Sequence, residues 1–381
     1  MVPEPPLPPL ISTQIKHLLV HSHLPFRIEQ IWSGCKNSRF SDRFTLLVPF
    51  CLDYVKWEVI YNAFFPFSAP DIVFSPEDEE FRPLLPAIDG EGEDESQARL
   101  MRSSLWNWNS KDPSMLFNLV HELRGLYVQY QRKRVGQVDD TRLKFEMSTI
   151  FSREGIEVCL MSGPDKSEEV KFVVPLLDLD LNKRVHACPW KQEQKIFLQV
   201  VFPLSRRHSP TPAPHIKLVS SSQLKDLFSV EDIKLPSWVD GMCMAEYLPS
   251  LEDTLNLQIL KAVEYIGGRR RFIEALAPKF GRPLEADPIF CRTATFLAVT
   301  GAFTFLVHFS LSTQFPKQQP TLILQSSQHF NSQGAPVMSP PLHNCPWSPR
   351  WSPTEMAERI FDFLVKECIG FKMYCLDAVV P

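Results

Sequence analysis

Glycine is scarce in this chain: 14 residues among 381, against 34 prolines. The glycine-dependent fingerprints GxxxxGK[ST], GxGxxG and GxSxG are all missing, so nucleotide-binding and serine-hydrolase chemistry lack their usual support. The nine cysteines are odd in number, scattered and without a CxxC pair, and Cys51, Cys159 and Cys291 sit in apolar runs. They read as reduced, mostly buried thiols of an intracellular protein rather than a disulfide framework. A field of one sign is missing too: 40 basic residues oppose 44 acidic ones, and a net charge of −4 is too small and mixed for a nucleic-acid surface. The start, MVPEPPLPPL, lacks the charged and apolar regions of a secretory signal. No long hydrophobic run occurs either. The most apolar stretch, Phe296 to Leu311, is too short to span a bilayer, and its Phe303, Phe305, Val307, Phe309 alternation predicts a strand.

What the chain does have is length for two or three domains and a globular balance of 44% hydrophobic to 22% charged residues. It also has one cadence written three times. A β-rich run ends in Phe-Pro, a second proline follows, then a short apolar strand, tryptophan and a capped amphipathic helix. The copies centre on Phe65-Pro66, Phe202-Pro203 and Phe315-Pro316, with second prolines at Pro70, Pro214 and Pro320. The helix caps follow at Asp112, Ser250 and Ser352, and the intervals hold Trp106 and Trp108, Trp238, and Trp347 and Trp351. Units of this length exceed solenoid periods, so three complete α+β modules in series are expected.

In the first copy, strands are expected over Phe26–Ile31, Phe44–Phe50 and Tyr54–Asn62. Asp112-Pro113 should open a helix striped by Leu116, Leu119, Val120, Leu123, Tyr127 and Tyr130. The second copy places strands at Ile156–Leu160, Lys171–Pro175, Ile196–Phe202 and around Ile216 and Leu218, then a helix from Ser250. The third turns a hairpin at Thr300-Gly301, and Ser352-Pro353-Thr354-Glu355 spells a capping box before Met356, Ile360, Leu364 and Cys368. Arg132–Asp140 and Gly267–Arg271 are the expected linkers, with cations following helix ends. Pro76–Ser96 carries nine acidic residues against Arg82 alone, which predicts a self-repelling, mobile insertion. The tryptophans are expected to anchor each sheet to its helix, the alternative being partner hot spots.

A meander, a Pro-x-x-x-Pro turn, a fourth strand and a long helix resemble the ubiquitin-conjugating (E2) fold and its inactive variants. Ser41-Asp42-Arg43-Phe44, Trp57 to Pro70, Leu105–Asn109, Tyr265–Phe272, Phe315–Leu324 and Ser348–Trp351 are similar to the BRE (brain and reproductive organ-expressed) family. That resemblance implies α+β architecture in three tandem E2-variant (UEV/RWD-like) domains, at 1–138 with the acidic insertion near 76–96, 139–268, and 269–381. It implies a non-catalytic scaffold of the BRISC and BRCA1-A deubiquitinase complexes, selective for non-degradative lysine-linked polyubiquitin. The implied partners are a JAMM-type metalloprotease, an Abraxas-type and a MERIT-type subunit, in nucleus and cytoplasm, with no cofactor of its own. Protein-binding residues are expected at Phe65, Pro66, Phe67 and Pro70 and at Pro346, Trp347, Arg350 and Trp351.

An E2 enzyme needs a thiolate after its fourth strand and an asparagine amide for the oxyanion. Ser75 to Lys111 contains no cysteine, and Ser220 to Ser250 has Cys243 without histidine or asparagine. His329-Phe330-Asn331 before Cys345 comes nearer, but the motif's proline is missing and the gap is too long. Cys345 is therefore read as structural; an atypical conjugating enzyme using it, or a free-standing ubiquitin reader, are the rival functions. His21-Ser22-His23, with Ser33, faintly echoes the JAMM zinc motif, yet Leu24 interrupts it and Lys36 replaces the ligating aspartate. Two histidines do not make a zinc site.

Overall fold

Period-two alternation becomes three open sheets, and the helical stripes become five α-helices among the described residues: an α+β architecture. The structure, a computed structural model, describes residues 6–34, 40–62, 65, 67–83, 104–163, 166–176, 195–204, 213–221, 224, 227 and 233–379. Cys35, Lys36, Pro66, Cys188, the acidic stretch Asp89–Glu95 and residues 205–212 lie outside them. These residues divide into two compact units, one drawn from Met1–Pro175, Phe197–Lys217 and Trp238–Ala245, the other from Leu176–Ile196, Leu218–Ser237 and Glu246–Pro381.

The first unit opens with α1 (Pro9–His21) and an antiparallel meander of β1 (Arg27–Trp32), β2 (Arg43–Phe50), β3 (Asp53–Ile60) and β4 (Asp71–Val73). Phe44, Leu46, Val48, Trp57 and Val59 alternate inward, each fully buried, against Leu116, Leu119, Val120 and Leu123 of α2 (Met115–Gly136). Each such side chain contributes about 1.5–3 kcal/mol. A second sheet, ordered β5 (Glu157–Gly163), β6 (Lys166–Leu176), β7 (Ile196–Pro203) and β8 (His215–Ser220), follows α3 (Thr141–Ile150). This sheet is covered on both faces. Val158, Phe172 and Val174 are buried on one, while Val173, Cys159 and Phe197 on the other pack onto the first core.

Local chemistry departs from the sequence reading in three places here. Asp112 does not cap α2; its carboxylate accepts from Ser114 N–H (2.8 Å) and Oγ–H (2.7 Å), holding a turn one step earlier. Those hydrogen bonds also hold its carboxyl below the usual range. The expected linker at Arg132–Asp140 shrinks to Gln137–Asp140, because α2 continues to Gly136 and Asp140 caps α3 through Leu143 N–H (3.0 Å). The beginning of the acidic run is packed, not loose: Asp78 is 6% exposed and accepts from Tyr127 Oη (2.9 Å), Gln131 Nε2 (3.1 Å) and Arg134 Nη1 (3.3 Å), with Phe81 buried beside it. Composition counts charges but cannot see that α2 supplies three donors to one of them.

His121 on α2 lies between Phe26 (5.4 Å) and Phe117 (4.3 Å), with Ser22 Oγ 3.1 Å from its Nε2. Burial, then the charges of Arg124 and His23, push its pKa down. The unfolded chain therefore takes up a proton that the fold resists, so stability is lost as pH falls below about 6.5. The unfolding midpoint should drop between about pH 7 and about pH 5, and His121→Gln should shrink that drop.

In the second unit, β9 (Glu285–Ala286), β10 (Thr293–Thr300), β11 (Phe303–Ser310), β12 (Thr321–Phe330) and β13 (Pro336–Met338) form an antiparallel meander. The β10–β11 turn is Gly301-Ala302, with Gly301 at φ 59° as that turn requires. Phe303, Phe305, Val307 and Phe309 face inward against Phe272 and Leu276 of α4 (Met244–Phe280) and Ile360, Leu364 and Cys368 of α5 (Pro353–Val379). Pro353 opens α5 and Glu355 N–H donates to Ser352 Oγ at 3.2 Å, as the capping box predicts. Helix α4 is the larger surprise. It starts at Met244 rather than Ser250, takes in Pro249, and runs unbroken through Gly267–Arg271, the expected linker. Buried Ile259, Ile266, Phe272 and Leu276 carry the stripe across the two glycines, whose cost is only about 1 kcal/mol each.

Candidate functional site

Two of the expected docking segments are turns whose shape is set by their own hydrogen bonds. After β3, Asn62 takes Phe65 N–H on both its carbonyl (3.2 Å) and its Oδ1 (3.1 Å), and Ser68 N–H donates to Phe65 O at 3.0 Å. Phe65 and Phe67 are thereby held out of the core, at 67% and 63% exposure. Two phenyl rings left in water on a pinned turn cost solvation free energy that a binding partner recovers. Pro70 is buried and so positions the turn rather than offering a surface.

In the second unit Trp347 is anchored inward. Its Nε1–H donates to Pro316 O at 2.9 Å, and its ring meets Phe315 (5.2 Å) and Phe272 (6.0 Å). Trp351 also packs on the core, with the Arg359 guanidinium 5.6 Å from its ring centre. Pro346 and Arg350 are exposed. The tryptophan of β3, Trp57, is fully buried, and Trp108 and Trp238 pack as anchors. Trp106 does not. It is 70% exposed between the packed Leu105 and Trp108, in a segment with no regular period from which its direction could have been read.

Cys345 lies in the core at 5% exposure, its sulfur 3.9 Å from Gln319 Oε1 and Pro320 O. Burial pushes its pKa up. A protonated thiol donating to carbonyl groups is the opposite of an activated nucleophile. Asn331, the nearest thing to an oxyanion donor in sequence, spends its Oδ1 on Gln333 and Ala335 N–H groups in its own turn. The histidines of the zinc-motif echo are part of a helix end: His21 stacks on His17 at 4.1 Å and Ser22 Oγ caps Leu24 N–H. Among the described residues no group of three or more His, Cys, Asp or Glu side chains could hold a metal ion. No helix there is long and apolar enough to cross a membrane.

The model of the family described as "Brain and reproductive organ-expressed protein (BRE)" matches residues 4–330. The chain belongs to this family. Relatives in it include proteins called "BRISC and BRCA1-A complex member 2". The one from Danio rerio is 29% identical over 374 residues, covering 93% of this chain and 91% of its own. The one from Branchiostoma floridae is 28% identical over 339 residues, covering 85% and 82%. Within the BRE family match fall the pinned Phe65 and Phe67 and both long helices that precede residue 330, whereas Cys345 and the Pro346–Trp351 turn lie beyond it.

Proposed function

We propose that the chain is a non-catalytic scaffold subunit of BRISC and BRCA1-A type assemblies. It links a JAMM-type deubiquitinase to Abraxas-type and MERIT-type subunits, for work on non-degradative lysine-linked polyubiquitin in DNA-damage and ubiquitin signalling, in nucleus and cytoplasm. The names of the relatives support membership of such complexes. Three tandem E2-variant domains, at 1–138, 139–268 and 269–381, are the architecture proposed to carry it; three successive meanders, each followed by helix, support a threefold repeat, while α4 crosses the 268–269 boundary. The observation that carries the docking role is the pinned, solvent-facing Phe65 and Phe67 pair. Several rigid surfaces on one chain raise the effective concentration of catalytic and targeting subunits.

Native pull-down with mass spectrometry tests the reading: a JAMM-type protease should be recovered with the full-length chain. A Phe65→Ala/Phe67→Ala variant should lose at least about tenfold of its partner recovery, the effect of one hot-spot residue or more, while its unfolding midpoint stays that of the wild type. Recovery of ubiquitin chains but no protease would overturn the scaffold in favour of a free-standing reader. A reducible ubiquitin adduct, formed with activating enzyme and lost in Cys345→Ala, would overturn it in favour of a conjugating enzyme.

A further inference from the structure

Cys51 and Leu52 form the two-residue turn between β2 and β3, and both take left-handed backbone, at φ 50° and 62°. Asn and Gly are the residues for such turns; cysteine and leucine are strained there. The turn is clasped from outside. Cys51 N–H donates to Glu157 Oε2 at 2.6 Å, and the other carboxylate oxygen is ion-paired with Arg124, whose Nε–H donates to Pro49 O at 2.9 Å. Glu157 stands two residues before Cys159 on β5, so both side chains leave the same strand face. Cys159 thus points with Glu157 toward the side that holds the Cys51 amide, and it packs against the core cluster that contains Cys51. Lys171, the register partner of Cys159 on β6, adds an ammonium group on a side chain only 9% exposed.

The two sulfurs are unlike. Cys51 is sealed at 2% exposure, whereas Cys159 is partly open to solvent. The neighbouring Cys51 thiol holds the Cys159 thiol below its ordinary value despite burial, and Lys171 assists; burial foremost, and the Cys159 thiol after it, push Cys51 up. Cys159, the thiol that solvent reaches, is placed to attack, and the sealed Cys51 is placed to resolve.

We propose that Cys159 and Cys51 are a hydroperoxide-responsive pair, Cys159 attacking and Cys51 resolving. The Cys159 thiolate attacks one peroxide oxygen; the O–O bond breaks, an S–O bond forms and hydroxide leaves. The sulfur loses two electrons to the peroxide and becomes a sulfenic acid. Cys51 then attacks that sulfur, the S–O bond breaks as the S–S bond forms, and the sulfenic oxygen departs as water with the Cys51 proton. Exchange with a dithiol reverses the change. The product staples the strained β2–β3 turn to the edge of the second sheet within the first unit.

The test is peroxide treatment of the full-length chain, followed by alkylation and peptide mass mapping. The expected result is a linked Cys51–Cys159 peptide, with loss of two hydrogens from the intact mass, restored by dithiothreitol. Lys171→Met should slow the linkage several-fold at neutral pH, and in Cys51→Ala the Cys159 sulfur should proceed to sulfinic acid instead. Both thiols still alkylatable after unfolding of the treated wild-type protein, or linkage of either to another cysteine, would overturn the proposal; that readout needs no variant that could fail to fold.

Discussion

Arg269→Ala should destabilise the second unit by about 3–5 kcal/mol, the cost of leaving three buried carbonyls without their donor at about 1–3 kcal/mol apiece, less the desolvation that the guanidinium no longer suffers. The guanidinium is 2% exposed and reaches three backbone carbonyls: Phe290 O at 2.7 Å from Nε, and Ser312 O at 3.2 Å and Thr313 O at 3.3 Å from Nη1. Burial, and after it the charge of Arg292, pulls its pKa down to about 10. It stays a cation at neutral pH, and the carbonyls repay part of its desolvation. Without it, the loop ahead of β10 and the turn ahead of Phe315 lose the group that fastens both to α4. Arg269→Lys should recover less than half, since one ammonium point cannot serve carbonyls set apart around a planar fork. Urea unfolding with an unchanged slope would measure the loss. A change below about 1 kcal/mol would mean that water replaces the guanidinium at no net cost.

That same residue shows where sequence reading stopped. In Gly267-Gly268-Arg269-Arg270-Arg271 the glycines and clustered charge point to a linker, and local rules contain nothing that says otherwise. The segment is helical because buried Ile266 and Ile273 flank it two turns apart on one face and because carbonyls more than twenty residues away await the arginine. The strands were legible for the opposite reason. Phe303 to Phe309 and Phe44 to Val48 alternate within a few residues, so burial of one face decides them locally. The capping box at Ser352 is equally local and forms as read. Asp112 fails as a cap because its carboxylate finds two donors on Ser114 before the helix begins, a competition that a cap-plus-proline pattern does not resolve.

The site divides along the same line. Phe65 and Phe67 could be named from the repeated Phe-Pro cadence, but their exposure depends on how Asn62 pins the turn. Trp347 and Trp351 belong to the same kind of motif and are spent largely on the core. Trp106, the most exposed tryptophan in the described first unit, looked in sequence like its neighbour Trp108, which packs on the core. The Cys51 and Cys159 pair was beyond reach: cysteines from different sheets share one core only once the second sheet has packed onto the first.

Glu157→Ala should cost the first unit about 3–4 kcal/mol, because one carboxylate serves two buried or half-buried donors from separate elements. It accepts the Cys51 amide of the β2–β3 turn and pairs with Arg124 of α2, the side chains of that pair being 17% and 16% exposed. Surface pairs contribute little, but here solvent screening is weak and removal strands a guanidinium. Arg124 retains its bond to Pro49 O, so Arg124→Met should cost less than Glu157→Ala, and the double variant less than the sum of the two. Glu157→Gln separates charge from shape: the amide oxygen can still take the Cys51 N–H, so about half the stability should return. Thiol reactivity should move the other way. The Glu157 charge raises the pKa of Cys159, so Glu157→Gln should be less stable than the wild type yet quicker to form the linkage with Cys51. A variant that lost stability and reactivity together would show that the clasp places the thiols, with its charge immaterial to them.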